Sequence, residues 1–359
     1  MLKKQLFLLL VCIASVISAQ NHRNYSNEFL TIGVDAASLG MSNSVVATTS
    51  DVNAMYWNPA GLAKVDDYQG SLMHASYFAN IAAFNYIGFA MPIDEKSSLG
   101  MSVTRFGVDD ILNTTELIDQ HGNVNYQNIS LFSAADYAFT VSYARNVLIK
   151  DLHVGVTSKV IRRIIGDFAT SWGFGFDLGL QYKFKNWNVG FIIRDVTTTY
   201  NTWSIDSIEF EKIKNAIPGE NQELPESIEI TKPKLQLGFA NQLTFSERYH
   251  LTTEIDFHVR FAETNDILSS SSVSMSPSFG FQLDYDKMVF LRGGVGNIQN
   301  ITNFDDSKSV SVQPNFGIGF KYKGIQLDYA LTNIGSIGNA LYSNIFSIKF
   351  DYSFFRKFK

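Results

Sequence analysis

Phe346-Ser347-Ile348-Lys349-Phe350-Asp351-Tyr352-Ser353-Phe354, near the C-terminus, alternates without a break between apolar and polar side chains. Successive residues of a strand point to opposite faces. One face of this strand is therefore aromatic and aliphatic, and the other carries Lys349 and Asp351. A wall with lipid outside and a polar lumen inside accounts for that pattern. So does a strand buried between two soluble sheets. One strand does not separate them.

The same period recurs upstream. Phe174, Phe176, Leu178, Leu180, Tyr182 and Phe184 alternate with Gly173, Gly175, Asp177, Gly179, Gln181 and Lys183. Leu251, Thr253, Ile255, Phe257 and Val259 alternate with Thr252, Glu254, Asp256, His258 and Arg260. Segments of this kind predict strands at 68–76, 82–92, 98–106, 136–146, 151–163, 171–184, 187–199, 233–246, 249–261, 274–285, 288–298, 312–322, 325–333 and 344–354. Fourteen is an even number, as expected of a bacterial single-chain barrel with both ends on one side.

The connections carry a separate signal. Every second one is short, around 94–96, 146–150, 185–186, 247–248, 286–287 and 323–324. The intervening ones, at 77–81, 107–135, 164–170, 200–232, 262–273, 299–311 and 334–343, are longer on average. Tight periplasmic turns opposite longer external loops are the topology of outer-membrane barrels. A sandwich has no reason to alternate loop length in this way. The expected fold is all-β: a 14-stranded antiparallel transmembrane β-barrel over residues 68–359.

Composition agrees. The chain has 359 residues, 45% hydrophobic, 14% aromatic and 18% charged, with a mean hydropathy of −0.01. Disorder requires few apolar residues and high net charge, and a helical membrane protein requires apolar runs of about 18 residues or more. Neither condition is met. The longest apolar run, Leu6 to Ile17, follows Lys3 and Lys4 and ends in Ser18-Ala19-Gln20, the pattern of a cleaved secretory signal peptide over 1–19. Cys12, the sole cysteine, lies inside it behind the bulky Val11, so neither a lipid anchor nor a disulfide framework is expected. Without Lys3 and Lys4 the 29 basic residues fall to 27 against 34 acidic, a net charge of −7 that offers nothing to nucleic acid.

A fourteen-stranded barrel is too wide for its own side chains to fill. Many inward positions are moreover small: Gly155, Gly175, Gly179, Gly190, Gly238, Gly280, Gly317 and Gly319. Residues 20–67 lack sustained alternation and are the candidate hatch, with a periplasmic tail as the alternative. Asp51 can cap a short helix through Ala54–Trp57, and Pro59 suits the first turn of another.

Gly33-Val-Asp-Ala-Ala-Ser-Leu-Gly40-Met41, followed by Asp51 and then Asn58-Pro59-Ala60-Gly61-Leu62, resembles the N-terminal signature of the PorV/PorQ family, part of the broader group of FadL-related barrels. The sharp motifs cover about residues 30–62. Ser42 stands where many relatives have a second glycine after Gly-Met, as in a divergent paralogue. The resemblance implies a lumen closed by the N-terminal hatch, a Bacteroidota outer membrane and a role in type IX secretion. It further implies protein partners of a secretion complex, among them the C-terminal signal domains of exported proteins. Outer-membrane lipids and lipopolysaccharide would surround the wall.

No enzyme constellation or cofactor is expected. The six histidines show no metal-ligand spacing, and Gly173-x-Gly175 with Gly179 lacks the dinucleotide-binding spacing. Asp177, Arg194, Glu254, Asp256, His258 and Arg260 are predicted to face the lumen. Acid–base machinery is one reading of that set; an ion network bracing the hatch is the favoured one. The two long loops, 107–135 and 200–232, carry Ile111, Leu112, Leu117, Ile118, Phe132, Trp203 and Phe210 as candidate partner contacts. The competing reading folds these loops over the barrel mouth. Within the second loop, Ile208 to Ile217 has helical spacing and Pro218-Gly219 a stop.

Three functions are compatible with these features: a protein-binding shuttle or scaffold, a FadL-like transporter of hydrophobic small molecules, and an accessory barrel in an insertion machine. Transport would need an opening in the wall, for which Phe106-Gly107 is a candidate kink.

Overall fold

Fourteen strands pair in chain order and close on themselves in the computed structural model, which describes residues 26–118, 121–147, 149–216, 227–303, 306–332 and 343–351. The expected signal peptide, the Pro218-Gly219 stop and the strand end at 352–354 lie outside the described residues. The wall strands are β1 (Gln69–Tyr77), β2 (Ala82–Asp94), β3 (Ser97–Asn113), β4 (Ser130–Asn146), β5 (Leu152–Ile165), β6 (Ala169–Phe184) and β7 (Trp187–Arg194). They continue as β8 (Lys234–Thr244), β9 (Tyr249–Arg260), β10 (Ser274–Tyr285), β11 (Val289–Thr302), β12 (Lys308–Tyr322), β13 (Ile325–Thr332) and β14 (Ser343–Asp351). β14 pairs antiparallel with β1, Phe346 opposite His74, which closes the ring.

Closure leaves the pleat to sort the side chains. On β6, Trp172, Phe174, Phe176 and Leu178 are exposed while Ser171, Gly173, Gly175, Asp177 and Gly179 between them are buried. The exposed row is the lipid-facing stripe, and the buried row lines the lumen. Apolar side chains on an unpartnered outer face are stable only against lipid.

Two expected strand limits are corrected. β3 and β4 run on to Asn113 and back from Ser130, so Ile111, Leu112 and Phe132 lie on strands rather than in a loop. Asp109-Asp110 breaks the alternation there. Asp110 takes φ 58°, the register shifts between Val108 and Ile111, and pairing resumes at Ile111 opposite Phe132. This bulge also displaces the expected kink: Phe106 and Gly107 pair on both sides, with Phe84 and Ala83 and with Asp136 and Ala135.

The second correction concerns β7, which stops at Arg194 instead of reaching 199. Asp195 and Thr198 adopt φ values of 54° and 61°, and the backbone steps aside before Thr199–Ile205 resumes pairing with Ala169–Phe174 of β6. The Asp195 N–H donates to Asp177 at 2.8 Å, and the Thr199 hydroxyl donates to Asp195 at 2.6 Å. Buried polar partners outweigh the alternating pattern at this point. Beyond it the connection is structured, with a helix over Ser207–Ala216 and a short strand, Ile228–Thr231, against Thr199–Ile205.

Candidate functional site

Residues 26–67 form short turns and helices, with 3-10 turns at Glu28–Thr31 and Pro59–Lys64 and helices α1 (Ala36–Gly40) and α2 (Ala54–Trp57). Local chemistry sets them. Asn53 N–H donates to Asp51 Oδ1 at 2.9 Å ahead of α2, and Ala60 N–H donates to Asn58 Oδ1 at 3.2 Å ahead of the Pro59 turn. Gly33, at φ 109°, lets the chain turn beside Trp57, whose indole N–H donates to the Val34 carbonyl at 3.1 Å.

At several points this segment meets the wall where the wall has no side chain. A methyl group built on Gly155 would overlap the Pro59 backbone, one on Gly190 the Val46 carbonyl, and one on Gly280 the Met41 carbonyl. At Gly317 it would come within 3.2 Å of the Cα of Gly40. Asn58 binds the segment to itself and to the ring, donating to the carbonyls of Val46 at 2.9 Å and Leu180 at 3.0 Å. Gly61 sits under the Thr49 carbonyl, and Leu62 is fully buried in a cluster with Val52, Met55, Ala90 and Ala144.

Charge completes the contact. Glu254 accepts from Ala47 N–H and the Thr48 hydroxyl, and Asp256 accepts from the N–H groups of Val45 and Val46 at 3.0 and 3.2 Å. Lys349 reaches Asp51 at 2.8 Å and Asp35 at 3.5 Å. Asp177 instead pairs with Lys159 at 2.7 Å, and Lys159 bridges on to Asp195 at 2.7 Å. Arg292 and Asp328 form a pair at 2.7 Å that is almost wholly buried. Arg194 lies over the ring of Tyr56 at 5.2 Å, Arg260 is 3.9 Å from Glu28, and His258 Nε2 is 3.5 Å from the Ser278 hydroxyl. Lys234 holds Glu28 at 2.6 Å. Burial raises the Glu28 pKa, but Lys234 and Arg260 together outweigh it and hold the carboxyl below its ordinary range. Burial, with Lys183 nearby, pushes the Lys64 ammonium down to about 8.

The other face of interest is the β3–β4 hairpin. At about 3.4 Å per residue and a tilt of 35–45°, the 17 residues of β3 rise about 40–47 Å, well past an apolar band about 25 Å tall. Its end exposes Leu112 (63%), Ile118 (61%), Tyr126 (75%) and Leu131 (60%). The remaining loop candidates are partly covered. Phe132 packs edge-on against Phe168 at 5.4 Å, and Trp203 lies under Arg163 at 5.1 Å. Ile111, Leu117 and Phe210 are half-buried.

The family profile described as "Type IX secretion system protein PorV" matches residues 18–213, more than half of the chain. The chain belongs to the PorV family. Its fold is shared with solved outer-membrane barrels. The CymD monoaromatic hydrocarbon channel matches at 13% identity and a TM-score of 0.54, over 89% of this chain and 97% of that one. The Pseudomonas putida toluene transporter TodX matches at 12% and 0.54, over 89% and 98%. A Pseudomonas aeruginosa FadL homologue matches at 12% and 0.50, over the same shares. At these identities the likeness is one of fold. No curated protein matches the chain. As a PorV-family barrel with this wall, the protein resides in the outer membrane.

The buried ion pairs of this PorV-family barrel extend beyond the residues singled out from sequence. Lys159, Asp195, Arg292, Asp328 and Lys349 were not among them, although four occupy inward positions of strands whose alternation is clear. Extending the pleat to every charged residue would have found those four. Asp195 gives no such signal, because it sits where the strand breaks. Among the described residues no group of three or more His, Asp and Glu side chains has the geometry to hold a metal ion.

Proposed function

We propose that this barrel is a protein-binding component of the type IX secretion assembly, a shuttle or scaffold whose lumen is closed by residues 26–67 as a hatch and whose loop face engages its partners. The observation that carries this reading is the division of labour between the two ends of the same chain. The lumen is occupied by a segment held to the wall by hydrogen bonds and ion pairs from many strands. Among the described residues, large apolar side chains stand exposed along the lipid-facing wall, on the protruding loops and in the short turn at Ile149. An apolar hairpin end held beyond the membrane is suited to a protein contact. In this reading both termini are periplasmic, the long loops face outward, and exported proteins dock through their C-terminal signal domains.

The test is capture from native outer membranes. The tagged barrel, cross-linked and extracted in mild detergent, should bring down exported cargo or large membrane partners. Recovery of the barrel alone would overturn the proposal. The double variant Leu112→Asp, Ile118→Asp should reduce capture while the barrel still folds. Growth on long-chain or aromatic substrates should be indifferent to deletion; a clear defect would favour transport instead.

A further inference from the structure

The loop-side half of the lumen contains a cavity of about 250 Å3 between the N-terminal segment and the wall of β7 to β13. Its charged lining is Arg194, Lys234, His258, Arg260 and Asp266. Lys234 is engaged by Glu28, and Asp266 accepts from the Thr264 hydroxyl at 2.7 Å. Arg194 is different. It is 7% exposed, its Nε–H meets no acceptor, and it forms no ion pair among the described residues. Its neighbours include the Tyr56 ring beneath it and another cation, Lys234, opposite it in the ladder. A buried guanidinium without a counter-charge is costly, and such a group is retained at little expense only if an anion meets it.

Three more buried polar atoms lack partners at this cavity: Oδ1 of Asn43, Oε1 of Gln236 and Oγ1 of Thr332. An oxygen without a donor calls for a hydroxyl, just as an N–H without an acceptor calls for an oxygen. Ser42, Ser276, Asn297, Gln313 and Asn315 add further hydroxyls and amides around the same space. At ~30 Å3 per water the cavity holds about eight waters, or one polyhydroxylated six-membered ring.

We infer that this cavity binds a small hydroxylated organic anion the size of a sugar acid, its carboxylate on Arg194 and its hydroxyls on Asn43 and Gln236. A fatty acid supplies the charge but would set a hydrocarbon chain against amides and hydroxyls. A neutral sugar satisfies the amides and leaves Arg194 unmatched. The site is independent of the secretion reading, because it uses only the hatch and the wall.

Calorimetric titration of the purified full-length barrel with D-glucuronate, D-glucose and octanoate tests it. Glucuronate should bind saturably at one site, at least tenfold tighter than glucose, with octanoate no tighter than glucose. Arg194→Met should weaken glucuronate at least tenfold and leave glucose unchanged, whereas Gln236→Leu should weaken both sugars. Absence of saturable glucuronate binding, an unchanged affinity in Arg194→Met, or tighter binding of octanoate would each overturn the inference. If Arg194→Met does not fold, Gln236→Leu and the three-ligand comparison on the unsubstituted protein decide the matter.

Discussion

The lumen and the loop face use the same kinds of residue to opposite ends. In the lumen, several charges meet in pairs: Arg292 with Asp328 and Lys159 with Asp177 and Asp195 are buried, and Lys349 with Asp51 is partly so. Glycine replaces a side chain at many of the points where the N-terminal segment passes, although Met73, Phe84, Tyr86 and Ile345 also pack against it. On the β3–β4 hairpin, aliphatic and aromatic side chains stand in the open, with the strands beneath them paired on both sides of the Asp109-Asp110 bulge. The difference is one of tolerance. A change inside the ring has nowhere to go, and a change at the loop tip has nothing to disturb.

Substitutions that trespass on this division should follow a steep gradient. Asp328→Asn, which leaves the Arg292 charge buried and unmatched, should cost about 3–5 kcal/mol, read as a lowered urea midpoint for the refolded barrel in lipid. Gly155→Val places a side chain against the Pro59 backbone and should cost about 1–3 kcal/mol by overpacking. It should also loosen the hatch, seen as added conductance in a planar bilayer. Glu254→Ala removes the acceptor of the Ala47 N–H and the Thr48 hydroxyl, at about 1–3 kcal/mol, with faster hydrogen exchange over residues 45–48. Leu112→Asp and Ile118→Asp should fall within about 0.5 kcal/mol of the unsubstituted protein; a larger loss would mean that the hairpin tip is part of the fold.

The gentlest probe is acid. The Glu28 carboxyl is held below its ordinary pKa, so its contribution is fully present above the unfolded value near 4.5 and is lost as the pH falls through the folded value. Exchange at residues 27–32 should therefore rise below about pH 4.5 while exchange in the β-ladder stays unchanged. Equal loosening of both would place Glu28 in the barrel's own stability rather than in the turn it anchors.

Much of the wall was legible from period two alone. All fourteen expected strands exist, because the pleat forces alternation wherever lipid meets one face and a polar lumen the other. The limits failed where side chains rather than the pleat set the backbone. At Asp109-Asp110 a bulge lets pairing resume past two consecutive acids, and at Asp195 a buried ion pair pulls β7 aside. The inward charges Asp177, Arg194, Glu254 and Asp256 followed from strand parity. Their partners did not, since Asp256 meets Val45 and Val46 some two hundred residues away in the chain. Periodicity assigns a face and says nothing about what stands opposite it.

The reach of the N-terminal segment has a consequence for how the protein is made. Residues 26–65 leave the ribosome before any strand, yet their partners extend to Ser347 and Lys349 on β14, the last strand of the ring. First synthesised, they are the last to be satisfied. Until β14 is in place, the contacts of Asp35 with Ser347 and of Asp51 with Lys349 have no counterpart. Seating the segment is thus the closing act of assembly, and a barrel arrested short of its final strand would betray itself by an N-terminus still open to proteases.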